Sequence, residues 1–334
     1  MIKKLVNNLC APETGHSLEL EIYSADGEHV IDGRLIDQET GDWYRIENSI
    51  AELLPTDMRD SDTYDNFCSK YKIENSTVTG KRARSNTNYE EQINFFKNYH
   101  VVYEKDVVSS PFYKILDKIT VGDWIKNNLT PGQNILEVGC GSARQTLPLL
   151  DCGVNVTGID LSEEMLQLAQ RKVIDNNSVC DASFIVGCAE MLPVKSNCFD
   201  AAIIYGSLHH FSDPCSALKI AADKVKLGGS FYIMEPHNSP VRFIFDWMME
   251  KFTLWEEEAA DEPLFDSKQF TSWLESVGFQ IKIKYSTYLP PHFFYIISQK
   301  HGERLLSASD AVFSSIPGVR KLAGVIIAEG VRQQ

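Results

Sequence analysis

The sequence predicts an α/β fold built on a doubly wound, mostly parallel seven-stranded sheet, with a small β-rich unit in front and α-helical insertions forming a lid. Three observations carry that reading. From residue 134 onward, near-continuous apolar runs alternate with amphipathic stretches, the pattern of parallel strands covered by helices on both faces. The run Ile135-Leu136-Glu137-Val138 passes through Gly139-Cys140-Gly141-Ser142-Ala143 straight into residues 144–150, which reads as strand, tight turn and helix. A second strand over 155–160 then ends on Asp160, about 20 residues past the turn.

Each element follows in order. The two glycines let a ligand approach the backbone, and the helix behind them offers unpaired N–H groups. Asp160 stands where an acid accepts both hydroxyls of a ribose. A helix over 161–173 opens with Ser162 as its N-cap and carries Glu163 and Glu164 in its first turn. Strands follow at 182–186, 200–205 and 230–234, with a helix over 214–226 between the last two. A helix over 266–277, capped by Asp266 and ended by Gly278, precedes strands at 279–284 and 324–329.

Along this frame lie Val186-Gly187-Cys188-Ala189-Glu190, Phe199-Asp200-Ala201-Ala202-Ile203-Ile204-Tyr205, Leu208-His209-His210-Phe211 and Lys226-Leu227-Gly228-Gly229. With them, roughly residues 134 to 235 resemble the class I S-adenosylmethionine-dependent methyltransferases, and the fold expected is their Rossmann-like one. The resemblance implies S-adenosyl-L-methionine as cofactor. It makes Glu137, Gly139, Cys140 and Gly141 the turn under the methionine part and Asp160 the ribose acid. Leu161 packs on the adenine and Ala189 meets its edge. Cys188 stands where the family usually has an Asp for the adenine amine, so that contact is either weakened or left to Glu190. Residues 205 to 210, from Tyr205 to His210, line the methyl-transfer site.

Residues 1–60 carry short strand-like alternations at 18–23, 33–36 and 43–46. Cys10-Ala11-Pro12 and the stretch from Gly41 to Pro55 resemble the zinc-ribbon-derived activator subunits of tRNA and protein methyltransferases, here fused in front. The metal pairs have eroded to Cys10, Asp37 and Thr40, so no zinc or other metal is expected. Residues 61–88 read as a linker containing the basic run Lys81, Arg82 and Arg84, more in keeping with a solvated stretch than with an anion contact. Residues 89–334 form the main domain. Helical spacing marks 89–99 and 111–127 as helices, and the resemblance, in which helices before the first strand cap the cofactor cleft, implies Tyr99 or Tyr103 over the cofactor's methionine tail.

Insertions at 236–265 and 285–323 interrupt the plan. The first places Phe243, Phe245, Trp247, Met248 and Met249 all round a helix, so that helix is expected to be buried or to cover a ligand. The second adds Tyr288-Leu289-Pro290-Pro291-His292-Phe293. Together they roof an apolar pocket. The acidic run Glu256-Glu257-Glu258 reads as a solvated face.

The net charge of −14 disfavours a nucleic-acid partner. Eight scattered cysteines without a C-x-x-C pair read as reduced thiols, and no apolar run reaches the roughly 20 residues of a membrane span, so a cytoplasmic location is expected. Transfer from a sulfonium needs alignment of the acceptor and exclusion of water, and an oxygen acceptor also needs a base. His209, His210 and His237 follow the fourth and fifth strands and are the catalytic candidates. The expected activity is methylation of a small or lipid-like acceptor, a natural product, glycan precursor or isoprenoid quinone, at oxygen. The rivals are a macromolecule methyltransferase using the N-terminal unit, a nicotinamide-dependent oxidoreductase and a non-catalytic cofactor-binding partner. Low basicity, the absence of an Asn-Pro-Pro-Tyr motif and the motifs after Asp160 weigh against the first two. The sequence leaves the oligomeric state open.

Overall fold

The computed structural model describes residues 1–73, 100, 102–176, 178, 180–253 and 263–333. Four N-terminal strands, β1 (Leu18–Asp26), β2 (His29–Asp37), β3 (Trp43–Glu47) and β4 (Ile50–Glu52), run antiparallel to one another. Helix α1 (Ser61–Tyr71) packs on them through Tyr64, Phe67 and Cys68, against Trp43. The expected linker therefore begins with a helix that has an apolar face; Lys81, Arg82 and Arg84 lie outside the described residues. So do Tyr99 and the rest of 89–99.

The helix expected over 111–127 is two helices, α2 (Pro111–Ile119) and α3 (Val121–Asn128), broken at Thr120, whose backbone (φ −106°, ψ −86°) leaves the helical region. The βα alternation follows as β5 (Asn134–Val138), α4 (Thr146–Asp151), β6 (Asn155–Asp160), α5 (Glu163–Asn176), β7 (Ala182–Val186), β8 (Phe199–Tyr205), α6 (Pro214–Asp223) and β9 (Val225–Pro236). Then come α7 (Arg242–Lys251), α8 (Ser267–Glu275), β10 (Phe279–Ser286), α9 (Gln299–Ser314) and β11 (Val325–Arg332). Local chemistry accounts for the boundaries. Ser162 Oγ accepts the Met165 N–H at the start of α5, and Asp266 and Gln269 close a reciprocal capping box on α8.

All eleven strands belong to one sheet, ordered β1-β2-β3-β4-β7-β6-β5-β8-β9-β11-β10. The sheet is thus eleven-stranded and mixed where a seven-stranded, mostly parallel one was expected. Five neighbouring pairs are parallel and five antiparallel. The cause is β4, which pairs parallel to β7 through Ile50–Phe184, Ala51–Ile185 and Glu52–Val186 and so covers an apolar edge. The chain winds outward from β5 to β6 and β7 on one side and to β8 and β9 on the other. A crevice therefore opens beyond the carboxyl ends of β5 and β8. Among the described residues no helix is long and apolar enough to cross a membrane.

Of the two forms expected for this helix, buried or covering a ligand, α7 is not the buried one. Only Met249 is buried, while Phe243 and Trp247 are 68% and 54% exposed. It borders the crevice instead, turning Ile244, Phe245 and Met248 toward it. Leu254, Trp255, Glu256, Glu257 and Glu258 lie outside the described residues.

One ion cluster ties the N-terminal strands to the main domain. Arg45, buried on β3, donates from Nε to Glu52 Oε2 at 2.7 Å and pairs with Glu47 at 3.2 Å and with Glu163 of α5. Burial raises the Glu52 carboxyl above its usual range even with Arg45 beside it. Arg45→Met strands that carboxylate without its cation and is expected to cost about 3–5 kcal/mol in urea unfolding, whereas Arg45→Met with Glu52→Leu recovers most of the loss.

Candidate functional site

The turn after β5 takes its shape from positive backbone angles at Gly139 (φ +71°) and Gly141 (φ +50°). A Cβ on Gly139 would stand 2.4 Å from Ser207 Oγ, so the β5 and β8 loops meet only because that atom is missing. Ala143 shares the left-handed conformation (φ +69°) and is fully buried, so the alanine bends the turn in the same sense as a glycine would, at some strain. Asp160 locks the turn from β6: Oδ2 accepts the Gly141 N–H at 2.8 Å and Oδ1 the Ser162 N–H at 3.0 Å.

Below the turn, Glu137 is buried and accepts the Thr146 hydroxyl at 2.6 Å. Burial pushes its carboxyl up to about 8, the Asp160 charge adds to the rise, and the Thr146 hydrogen bond opposes it. Above the turn, Glu104 receives Lys172 Nζ at 2.6 Å and the Ser142 hydroxyl, which holds residues 104–108 over the cradle.

At the β8 end, the Glu235 carboxylate is fully buried and organises the following loop. Its Oε1 accepts the Ser207 and Leu208 N–H groups at 3.0 and 2.8 Å, and its Oε2 meets His209 Nδ1 at 2.5 Å. A proton on Nδ1 makes Nε2 the basic nitrogen of His209. The His209 and His210 rings lie 4.1 Å apart. On the facing wall Arg144 grips Asp117 through two nitrogens, at 2.9 and 2.5 Å, and stacks over Tyr113 and Tyr205; the Tyr205 hydroxyl donates to Asp117 at 2.6 Å. Burial, with the Asp117 charge adding, holds that phenol well above its usual range.

These groups surround one cavity of about 840 Å³, within the usual range for a small-molecule site. Gly139, Gly141, Asp160 and Leu161 line one half, with Cys188, Ala189 and Glu190 beside them. Tyr205, His209 and His210 line the middle, Tyr103 covers the cradle, and both insertions supply the far wall. Three candidates stand elsewhere. Glu137 and Cys140 lie behind the wall: the Cys140 thiol packs toward Gly158 and Phe184 in the core. His237 is not among the residues lining the cavity either: its Nδ1 is bound to the Ala323 carbonyl at 2.9 Å and its ring abuts Tyr285. Glu190 takes the Cys188 thiol on Oε2 and the Asp213 N–H on Oε1, so the pair is one unit rather than two independent contacts. Sequence reasoning missed Glu235, Asp117 and Arg144. An acid ending an apolar strand was the one available signal, for Glu235.

Residues 136–233 match a family model described as "Methyltransferase domain". The chain is 32% identical over 126 residues to the ubiquinone biosynthesis O-methyltransferase of Dechloromonas aromatica, covering 37% of this chain and 53% of that protein. It is 27% identical over 164 residues to the demethylmenaquinone methyltransferase of Renibacterium salmoninarum, covering 44% and 67%. The solved structure of the [4+2]-cyclase SpnF superposes with a TM-score of 0.53 at 17% identity, covering 73% of this chain and 96% of that chain, a likeness of fold. The chain thus spans about half the length of the first of these relatives. In sequence residues 136–233 are similar to methyltransferase domains, and the cofactor that this similarity implies is S-adenosylmethionine. The cradle fits that cofactor, since the left-handed backbone at Gly139 and Gly141 forms part of the cavity wall and Asp160 lines the same cavity with its carboxylate.

Glu137 makes stability depend on pH. The folded state holds this proton more tightly than the unfolded chain, so the contribution is complete below about 4.5 and is lost as pH rises toward about 8. The melting temperature of the wild type is expected to fall across that window, and Glu137→Gln, which mimics the protonated acid, is expected to flatten the profile.

Proposed function

We propose that this protein methylates a lipid-like aromatic acceptor of the quinol type at a ring oxygen, using S-adenosylmethionine. The observation that carries the reading is the placing of His209, held by Glu235, between the glycine cradle and an apolar far wall inside one cavity. The two relatives named for ubiquinone and menaquinone synthesis support the substrate class. When bound, the cofactor supplies a methyl group activated by the sulfonium. Gly139, Gly141 and Asp160 hold it, and Leu161 and Ala189 flank its adenine. His209 Nε2 takes the phenolic proton, and the buried Glu235 stabilises the imidazolium that results. Tyr103, Tyr113 and the insertions exclude water from the transfer. The aliphatic and aromatic surfaces of Ile244, Phe245, Met248 and Leu289 suit an isoprenoid-bearing ring better than a polar macromolecule. The N-terminal strands extend the sheet at β7, which favours a supporting role for them over recruitment of tRNA or protein.

The test is incubation with S-adenosylmethionine and either a short-chain prenyl catechol or a prenyl naphthoquinol, with products read by mass spectrometry. O-methyl catechol is the expected product. Methylation of the naphthoquinol at ring carbon alone would reassign the acceptor atom, and no turnover of either would sink the reading. His209→Gln is expected to lower kcat roughly 10²-fold while S-adenosylhomocysteine binding in calorimetry stays unchanged. Asp160→Ala is expected to lose that binding.

A further inference from the structure

Thr287 follows β10 on the far wall of the cavity, with φ +69°. A β-branched residue is strained in this left-handed region, where glycine or asparagine sits easily. Three contacts hold it there. Its N–H donates to Asp310 Oδ1 at 3.1 Å, its carbonyl accepts the Gly324 N–H at 2.7 Å, and the adjacent Ser286 hydroxyl donates to Asp310 Oδ2. Asp310 comes from α9, so the second insertion fixes the Thr287 backbone.

Thr287 is 7% exposed, and its hydroxyl has no hydrogen-bond partner among the described residues. Its polar neighbours on that wall are committed: Ser239 Oγ donates to the Lys321 carbonyl and the Tyr288 hydroxyl to the Arg320 carbonyl. The other side chains there, Leu289, Pro236 and Val325, are apolar. A strained backbone that holds an unanswered hydroxyl just behind the wall of a binding cavity is unfavourable for the protein alone and becomes favourable once the side chain turns to a ligand that answers it. The cofactor cannot be that ligand. Strands β8, β9 and β11 separate β10 from the glycine turn on β5, so Thr287 belongs to the part of the cavity the cradle does not reach.

We propose that Thr287 is an acceptor-recognition residue whose hydroxyl turns about its Cα–Cβ bond to hydrogen-bond a polar ring substituent of the acceptor. The proposal rests on the reading of an aromatic, hydroxylated acceptor. Its specificity arises because an acceptor lacking the substituent leaves the hydroxyl unpaired.

The experiment measures binding of a short-chain prenyl catechol and of its monohydroxy counterpart to protein saturated with S-adenosylhomocysteine. The wild type is expected to prefer the catechol by roughly tenfold. Thr287→Val removes the hydroxyl at nearly constant shape and is expected to erase the preference, with S-adenosylhomocysteine affinity unchanged and melting temperature unchanged or raised. Thr287→Gly accepts the left-handed backbone without strain and gives the same readout should the valine variant fold poorly, while Thr287→Ser is expected to keep the preference. A preference that survives in both Thr287→Val and Thr287→Gly overturns the assignment of Thr287 and leaves the acceptor class standing. A wild type that binds neither probe overturns the acceptor class and this inference with it.

Discussion

The site depends on one buried carboxylate. Glu235 sits at the end of β9 with no exposed surface, where an unpaired charge would be very costly. It is tolerated because three donors converge on it: two backbone N–H groups of the β8 loop and one imidazole. The constraint works in both directions. The loop cannot shift without exposing the carboxylate to an apolar strand end, and His209 cannot rotate without giving up the charged partner on its Nδ1. The same loop places Ser207 against Gly139, so the cradle and the base are registered to each other through a contact that tolerates no extra atom.

Much of this was legible in sequence, for reasons that differ by residue. Gly139, Gly141 and Asp160 were readable because their roles are local: a left-handed turn needs glycine, and a strand end carries an acid at a fixed offset. His209 was readable as a candidate because it follows a strand directly, but so did His237, and only packing separates them. One imidazole meets a carboxylate on the cavity wall, while the other is turned between strands by the Ala323 carbonyl. Cys140 shows the converse. Its position in the turn suggested a ligand contact, but alternation sends its thiol into the core.

What sequence left hidden is non-local. Nothing near residues 50–52 says that they will lie parallel to residues 184–186, since three residues carry almost no periodicity and the partner lies far along the chain. Asp117 and Arg144 are unremarkable on their own helix and turn; they become a stacked ion pair under Tyr113 and Tyr205 only when α2 packs across the turn. Thr287 is harder still, because a positive φ at threonine contradicts its propensity and is imposed from outside by Asp310 and Gly324.

The division of the cavity follows from the sheet order. The cofactor half is built from the ends of β5, β6 and β7, which are central and nearly all buried, and its shape is set by backbone turns with little freedom. The far half is built from two insertions attached at β9, β10 and β11, held together by contacts such as His292 Nε2 with the Phe252 carbonyl and Ser239 Oγ with the Lys321 carbonyl. Changes in those insertions can therefore alter what enters without disturbing the cradle. His209 and Glu235 stand on the boundary, so on the proposed reading His209 would serve whichever ring the insertions present to it. On that reading the choice of acceptor would rest on the far wall, and the choice of atom on how that wall turns the ring toward Nε2.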